Sequence, residues 1–157
     1  MKSDSAKYDR NVLRHEMGHH VVCHELGYPS VIDIDPDTEI YALRHTITDN
    51  TEKELKDHLT MTFGGMLAEQ ICGIKETGGL GDMFQARELL KELYTRQGKK
   101  FEWDTVKVPI KEYAPFIKRA LSILKEKGGR ENLEGLVDQM LNDWKEMPNK
   151  WKAPAKV

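Results

Sequence analysis

Two histidines four residues apart, His15 and His19, have the spacing in this sequence that indicates chemistry most directly. On a helix this spacing puts both imidazoles on one face, one turn apart. Two neutral imidazoles in that position can bind one Zn²⁺ from the same side. Glu16 lies on the flank of that face, within reach of a metal-bound water but badly placed to be a ligand. The sequence therefore predicts one zinc ion per chain, with Glu16 as the catalytic general base.

The residues around the two histidines favour a metal site over an accidental surface pair. His15, Glu16 and His19 share a helical face with apolar residues that include Val12 and Val22. Burial of ionisable groups in an apolar stripe costs on the order of several kcal/mol unless a hydrogen bond, a counter-charge or a metal satisfies them. A bound metal satisfies the imidazoles directly, so the register itself supports zinc binding.

A catalytic zinc usually has three protein ligands and one position open to water, and several residues are candidates for the third ligand. Glu25 lies six residues beyond His19, but on an unbroken helix it would be more than a turn from the metal. Glu69 matches a glutamate supplied by a second helix. Asp82 lies at the end of a glycine-rich loop, where it also fits an N-cap with Gln85 completing a capping box.

The elements that must position these groups can be predicted from periodicity and from helix breakers. Residues 8–26 are predicted to form the first helix, stopped by Gly27 and Pro29, and buried nearly all round. Two β-rich runs, 30–35 and 39–48, predict a hairpin or a pair of short strands next to this helix.

A second helix is predicted to open at Thr51, with Glu54 completing a capping box. The pair Gly64-Gly65 lies in the middle of this helix and weakens it by about 1 kcal/mol per glycine relative to Ala. Such a pair is expected where another backbone packs very close, and the helix with the histidines is the natural candidate. Gly18 fits the same interpretation, because it leaves room for a neighbour or for the metal.

Three more helices complete the prediction, which is a mainly α, zincin-like domain with one small β element. The third runs from Asp82 to about residue 97, and the fourth has Pro115 in its first turn and ends at Gly128-Gly129. The fifth is amphipathic and lies around residues 133–144. We expect a single domain over residues 1–157, with a metal core at about 8–97, C-terminal helices at about 113–147 and a loose tail at 149–157.

The composition limits the partners and the compartment. The 157 residues are 39% hydrophobic and 32% charged, with a net charge of −2, so nothing global indicates nucleic acid or an anionic membrane as a partner. No apolar run approaches the roughly 20 residues of a membrane span. Residues 1–10 lack the apolar core of a secretory signal, and Cys23 and Cys72 fit buried hydrophobes in a reducing compartment. We expect a cytoplasmic protein.

Three sequence blocks resemble, in the same order, the peptidase domain of the FtsH-type AAA metalloproteases. HEMGHHVV resembles the zinc helix of that family, TFGGMLAEQICG its glycine-containing helix, and TGGLGDMFQAREL the segment that provides an aspartate ligand. The likeness covers about residues 10–97 and is weaker in the last two helices. It implies that the ligands are His15, His19 and Asp82 and that Glu16 is the catalytic glutamate, which leaves Glu69 as a supporting partner or a replacement ligand.

The chain departs from that family in one important respect, since no P-loop glycine-lysine motif occurs in it. The resemblance therefore implies peptide-bond hydrolysis without ATP-driven unfolding, on peptides or flexible protein segments. The family's peptidase domains form rings, so a homo-oligomer is possible. An exposed edge of the run 39–48 could pair with an extended substrate. His45 or Tyr41 could then polarise the scissile carbonyl, although ordinary strand side chains are the more common interpretation of both.

Three functions are compatible with these residues. The first is an ATP-independent zinc endopeptidase. The second is a zinc protein that uses the metal for structure or partner binding, and the third is a peptidase that cleaves one dedicated regulator, as ImmA-like metallopeptidases do. Glu16 favours hydrolysis, because a structural site needs no general base and is expected to close its fourth position with a protein ligand.

Overall fold

The structure, a computed structural model, describes residues 10–35, 40–74, 79–143 and 150–151 of the chain. Helices dominate it, and the predicted mainly α fold with a small β element is confirmed. A 3-10 turn, Ile110–Tyr113, precedes the helix that begins at Ala114. The elements are α1 (Arg10–Glu25), β1 (Ser30–Asp35), β2 (Ile40–His45), α2 (Glu52–Ile71), α3 (Leu80–Arg96), α4 (Ala114–Glu126), α5 (Gly129–Asp143) and β3 (Lys150–Trp151).

Helix α2 is the central element and contacts α1, α3, α4 and α5. Its start follows the predicted capping box, because the Thr51 hydroxyl accepts the backbone N–H of Glu54 at 3.1 Å. Leu55 and Leu59 are completely buried on the helix, and even its polar residues Thr60 and Thr62 have no exposed surface. A helix buried on this scale gives the surrounding elements a fixed surface to pack on.

Helices α1 and α2 cross at two glycines with their backbones in contact. A Cβ added to Gly18 would lie 2.2 Å from the carbonyl oxygen of Gly64, and one added to Gly64 would lie 2.7 Å from the carbonyl oxygen of Gly18. No side chain larger than hydrogen fits at that separation, so the predicted close packing of the glycine pair against the histidine helix is confirmed. The crossing holds the histidine face of α1 against α2.

The sheet has the strand order β2-β1-β3, and both pairings are antiparallel. The predicted pairing of the two β-rich runs is confirmed, with Ser30 opposite His45. β2 forms one edge of the sheet and contacts α1. Unlike the predicted loose tail, Lys150–Trp151 forms β3 on the free edge of β1. A two-residue strand depends on that edge rather than on any local pattern, and the rest of the tail lies outside the described residues.

Helix ends agree with the sequence in most places and differ at α3. Pro115 lies in the first turn of α4, as predicted. Helix α3 begins at Leu80, with Gly79 as its N-cap and no side-chain cap, so the prediction of Asp82 as N-cap is wrong. Asp82 lies inside the first turn instead. The predicted start of α1 at residue 8 and the end of α5 beyond residue 143 lie outside the described residues.

Two smaller features bear on the setting of the site. Cys23 and Cys72 are buried free thiols, 0% and 6% exposed, in agreement with their prediction as small hydrophobes. Within the described part of the chain, no helix combines the length and the apolar character needed to cross a membrane.

Candidate metal centre

Three side chains from two helices converge where α1 faces the start of α3. The Nε2 atoms of His15 and His19 are 3.0 Å apart. Oδ2 of Asp82 lies 2.7 Å from the first and 3.0 Å from the second. Zinc bonds of about 2.0–2.1 Å separate tetrahedral ligand atoms by about 3.3 Å, so these three atoms would move apart by only roughly a few tenths of an ångström to hold an ion.

Gly65 provides the space beside these ligand atoms. A Cβ added there would lie 2.5 Å from Nε2 of His15 and 2.5 Å from Nε2 of His19. The bare backbone of α2 therefore passes directly beside the atoms that would face the metal. One explanation, close helix packing, was predicted for both neighbouring glycines, but the structure separates their roles: Gly64 permits the helix crossing and Gly65 leaves room beside the ligand atoms.

The opposite nitrogens of the two imidazoles are bound by the protein. Nδ1 of His15 hydrogen-bonds the carboxylate of Glu69, which is only 3% exposed. Nδ1 of His19 lies 2.8 Å from the carbonyl oxygen of Met61, to which it must donate. Such partners fix the ring orientation and leave Nε2 free for a metal. Glu69 therefore lies on the far side of His15 from the convergence point, where it supports a ligand.

Burial and mutual charge act on the three groups in opposite directions. Burial lowers the pKa of His19, but the adjacent Asp82 carboxylate outweighs it and raises that pKa to about 9. The pKa of His15 is also raised, because Asp82 and Glu69 outweigh burial. Burial raises the pKa of Asp82, but the two imidazoles outweigh this and lower it. The carboxylate and the two imidazoles therefore stabilise the charged forms of one another.

The remaining candidates from the sequence lie elsewhere. Glu25 is exposed on α1 and forms an ion pair with Lys127 at 2.8 Å. His20 is buried on another side of the helix, with Nδ1 2.7 Å from the hydroxyl of Ser30. Its ring faces that of His24 at 6.3 Å. None of these side chains belongs to the convergence point of His15, His19 and Asp82.

A cavity of about 150 Å³ adjoins the candidate metal centre. Glu16 lies in its wall, half-buried, and its carboxylate accepts a hydrogen bond from the backbone N–H of Leu43 on β2. Burial raises the pKa of Glu16. The residues that line the cavity are Glu16, His19, Leu43, His45, Met61, Asp82 and Gln85. The predicted base and two predicted ligands therefore share one small cavity.

A histidine network that the sequence analysis missed forms part of the surroundings. His58, only 6% exposed, places Nδ1 2.8 Å from Oδ1 of Asp49 and Nε2 3.2 Å from the amide nitrogen of Gln85. Its ring packs edge to face against His45, with centroids 4.9 Å apart. The signal was present, because His58 lies three residues after Leu55 on the buried stripe of α2. The side chain of Tyr41 lies outside the described residues.

Comparison with known proteins does not assign the chain to a family. No protein-family model matches the chain, and no curated protein matches it either. The likeness to FtsH-type peptidases therefore depends on the three sequence blocks alone. The ligand roles of His15, His19 and Asp82 stay predictions, and what the structure adds is their convergence.

Proposed function

We propose that this chain is a zinc-dependent, ATP-independent peptidase. The observation that carries the proposal is the convergence of His15, His19 and Asp82 beside a cavity that Glu16 lines. Two imidazoles and a carboxylate form a donor set that suits zinc, and catalytic zinc sites have three protein ligands. Among the described residues these three form the group that could hold a metal, which leaves the fourth position for water.

The residues around the cavity provide the steps of hydrolysis. Zinc bound by the three ligands would polarise the scissile carbonyl and lower the pKa of water to about 7. Glu16 accepts the proton of the attacking water and delivers it to the leaving amine nitrogen. The Leu43 N–H holds the Glu16 carboxylate in place, so the base is oriented before the substrate binds.

The edge of β2 supports a peptide as the substrate. β2 is the edge strand of the described sheet, and the Leu43 N–H on it contacts Glu16. This side of the strand therefore faces the cavity, where an extended peptide could pair with it by strand addition. The cavity is also smaller than the roughly 300–1,000 Å³ of drug-sized ligand sites, which suits a peptide bond better than a bulky ligand. Extended binding favours short peptides and flexible segments.

Glu16→Gln is the central test, because it removes the base and keeps a side chain of the same size. We expect the variant to bind about one zinc per chain, as wild type does, and to lose about 10²–10⁴-fold of the hydrolysis rate. Metal content is measured by elemental analysis, and hydrolysis with casein and a fluorogenic peptide library. Chelator treatment of wild type should abolish cleavage, and added zinc should restore it.

Glu25→Gln is the matched control, since it makes the same change on the same helix at an exposed residue. It should keep wild-type zinc content and activity. A zinc-loaded wild type that cleaves neither casein nor any peptide would rule out a broad endopeptidase. It would leave the dedicated ImmA-like peptidase and the non-catalytic zinc protein as alternatives. Absence of stoichiometric zinc binding would refute the proposal entirely.

A further inference from the structure

His45, the last residue of β2, lines the same cavity as Glu16 and Asp82 but does not belong to the metal cluster. We propose that its Nε2–H donates a hydrogen bond to the substrate carbonyl oxygen as negative charge develops there. This inference rests on the proposed peptidase function, within which it makes His45 a catalytic residue. Four features of the structure support it.

The first feature is the tautomer of the ring. The backbone N–H of Ile47 points to Nδ1 of His45 at 3.2 Å. A backbone N–H can only donate, so Nδ1 accepts and the proton of the neutral ring is on Nε2. As a metal ligand His19 would have the opposite tautomer, because its Nδ1 donates to a carbonyl oxygen and its Nε2 faces the ligand cluster. One histidine in the cavity wall is therefore set as a metal ligand and the other as a donor.

The second feature is the charge state of His45. Burial lowers its pKa, and the neighbouring His58 and His19 lower it further. Asp49 acts in the opposite direction and is outweighed. The ring is therefore neutral near pH 7 and keeps a single N–H, the form that can donate a hydrogen bond without giving up its proton.

The third feature is the support of the ring. His45 packs edge to face on His58, with 4.9 Å between centroids and 74° between planes. His58 is itself held by Asp49 at Nδ1 and by Gln85 at Nε2. A donor fixed in this way needs no reorganisation when charge appears on the substrate, which is the condition for effective electrostatic stabilisation.

The fourth feature is the choice of donors in the cavity wall. Glu16 is an acceptor when ionised, while Leu43 and Met61 have no side-chain N–H or O–H. The amide nitrogen of Gln85 directs one of its two N–H groups to His58. Apart from the predicted ligands, the side-chain donors left in this wall are therefore the ring N–H of His45 and the second amide N–H of Gln85. The Gln85 side chain is exposed, whereas His45 is half-buried, and a buried donor stabilises developing charge more strongly than one in water.

The step can be written with all electrons and protons assigned. The water oxygen forms a bond to the carbonyl carbon, its proton goes to Glu16, and the C=O π pair moves to the carbonyl oxygen. The Nε2–H of His45 donates to that oxygen and keeps its proton. The carbonyl then re-forms, the C–N bond breaks, and the leaving nitrogen takes the proton from Glu16. His45 ends the cycle in the state in which it began.

His45→Phe and His45→Gln form a matched pair, because Phe keeps the ring and removes the donor while Gln retains an N–H. Loss of one oxyanion donor costs about 10²–10³-fold in rate, so we expect a fall in kcat of that size for Phe. The KM and the zinc content should stay close to wild type. His45→Gln should recover a large part of kcat, and His24→Gln should match wild type. Nitrogen-15 NMR of the folded protein should show the His45 proton on Nε2, a readout that is independent of activity.

The outcomes separate this inference from the proposed function. An active wild type together with a His45→Phe variant within about threefold of its kcat overturns the role of His45 and leaves the peptidase proposal standing. A proton on Nδ1 in the NMR spectrum overturns it as well. If His45→Phe does not fold, His45→Leu takes its place, because it also lacks a donor: a fall in kcat of about 10²–10³-fold with unchanged KM supports the role, and a kcat within about threefold of wild type refutes it. A zinc-loaded wild type that cleaves neither casein nor any peptide refutes the role of His45 together with the broad endopeptidase activity on which it rests.

Discussion

His15 and His19 each use one ring nitrogen for the protein and turn the other to the candidate metal position. Glu69 and the Met61 carbonyl occupy the Nδ1 atoms, and Asp82 meets both Nε2 atoms. The Nδ1 partners fix the direction of each ring, and with a metal on Nε2 each imidazole would carry its single proton on Nδ1. Substitution of Asp82 would remove a predicted ligand atom from the candidate metal centre. Substitution of Glu69 would remove only the hydrogen-bond partner of His15.

The difference between these two carboxylates gives a prediction at the scale of single residues. Asp82→Ala should abolish stoichiometric zinc binding, because two imidazoles alone remain. Glu69→Ala should weaken zinc binding by about 10–100-fold, the usual effect of removing a hydrogen-bond partner from a ligating histidine. Competition with a chromophoric chelator measures both affinities. Full zinc retention in Asp82→Ala, with loss in Glu69→Ala, would show that the ligand assignment is wrong.

At the scale of elements, the pairing of α1 with α2 decides whether the site can form. The backbones touch at Gly18 and Gly64, and one residue further along α2 Gly65 lies beside the ligand nitrogens. A glycine pair in a helix interior costs stability in isolation. Here the cost is offset by the close contact of the two helices, which no larger residue permits, while Gly65 leaves room beside Nε2 of His15 and His19.

Gly65→Ala tests this arrangement, because its Cβ would lie 2.5 Å from both Nε2 atoms. We expect loss of zinc binding at equimolar metal while the helical circular dichroism signal is retained. Gly135→Ala in α5 is the control, since a Cβ there meets nothing within 4 Å. That variant should bind zinc normally. Its free energy of unfolding should rise by about 0.5–1 kcal/mol, because Ala favours a helix more than Gly does, and it should therefore unfold at a higher urea concentration. Normal zinc affinity in Gly65→Ala would place the metal elsewhere.

At the scale of the whole molecule, Asp57 connects three separate parts of the chain. The side chain is 1% exposed on α2 and accepts hydrogen bonds from Tyr28 after α1, from Lys53 on α2 and from Arg119 on α4, each at 2.7 or 2.8 Å. Burial raises the pKa of Asp57, but these donors outweigh it and the pKa is lowered. The bonds hold α4 and the segment after α1 on the central helix.

Asp57→Asn should lower the free energy of unfolding at pH 7 by about 1.5–3 kcal/mol, the range for hydrogen bonds to a charged group. Because the folded pKa lies below the unfolded value of about 3.9, the stabilisation is present above that value and is lost as the pH falls through the folded pKa. Urea unfolding of wild type and variant from pH 7 to pH 3 measures the difference. Asp104→Asn, an exposed partner of Lys91, should change little. A difference that does not shrink with acid would contradict the assignment.

The sequence by itself determined the features that depend on neighbours along the chain. The i, i+4 histidines, the Thr51 cap, the Pro115 turn and the two β-rich runs all depend on local periodicity and capping, and the structure has each of them. Gly64 was also predictable, because a helix-weakening residue pair needs a packing reason.

Only the tertiary structure decided the parts of the site that come from distant positions. Asp82 fitted a cap and a ligand equally well by residue type, and the structure excludes the cap because the helix already begins at Leu80, while Asp82 lies against His15 on α1. Glu69 and His45 have no local signal for their positions, because the packing of α2 and the edge of β2 brings them to the cavity. A spacing of four residues fixes two imidazoles on a helix, whereas the predicted third ligand, 63 residues beyond His19, is placed by packing alone.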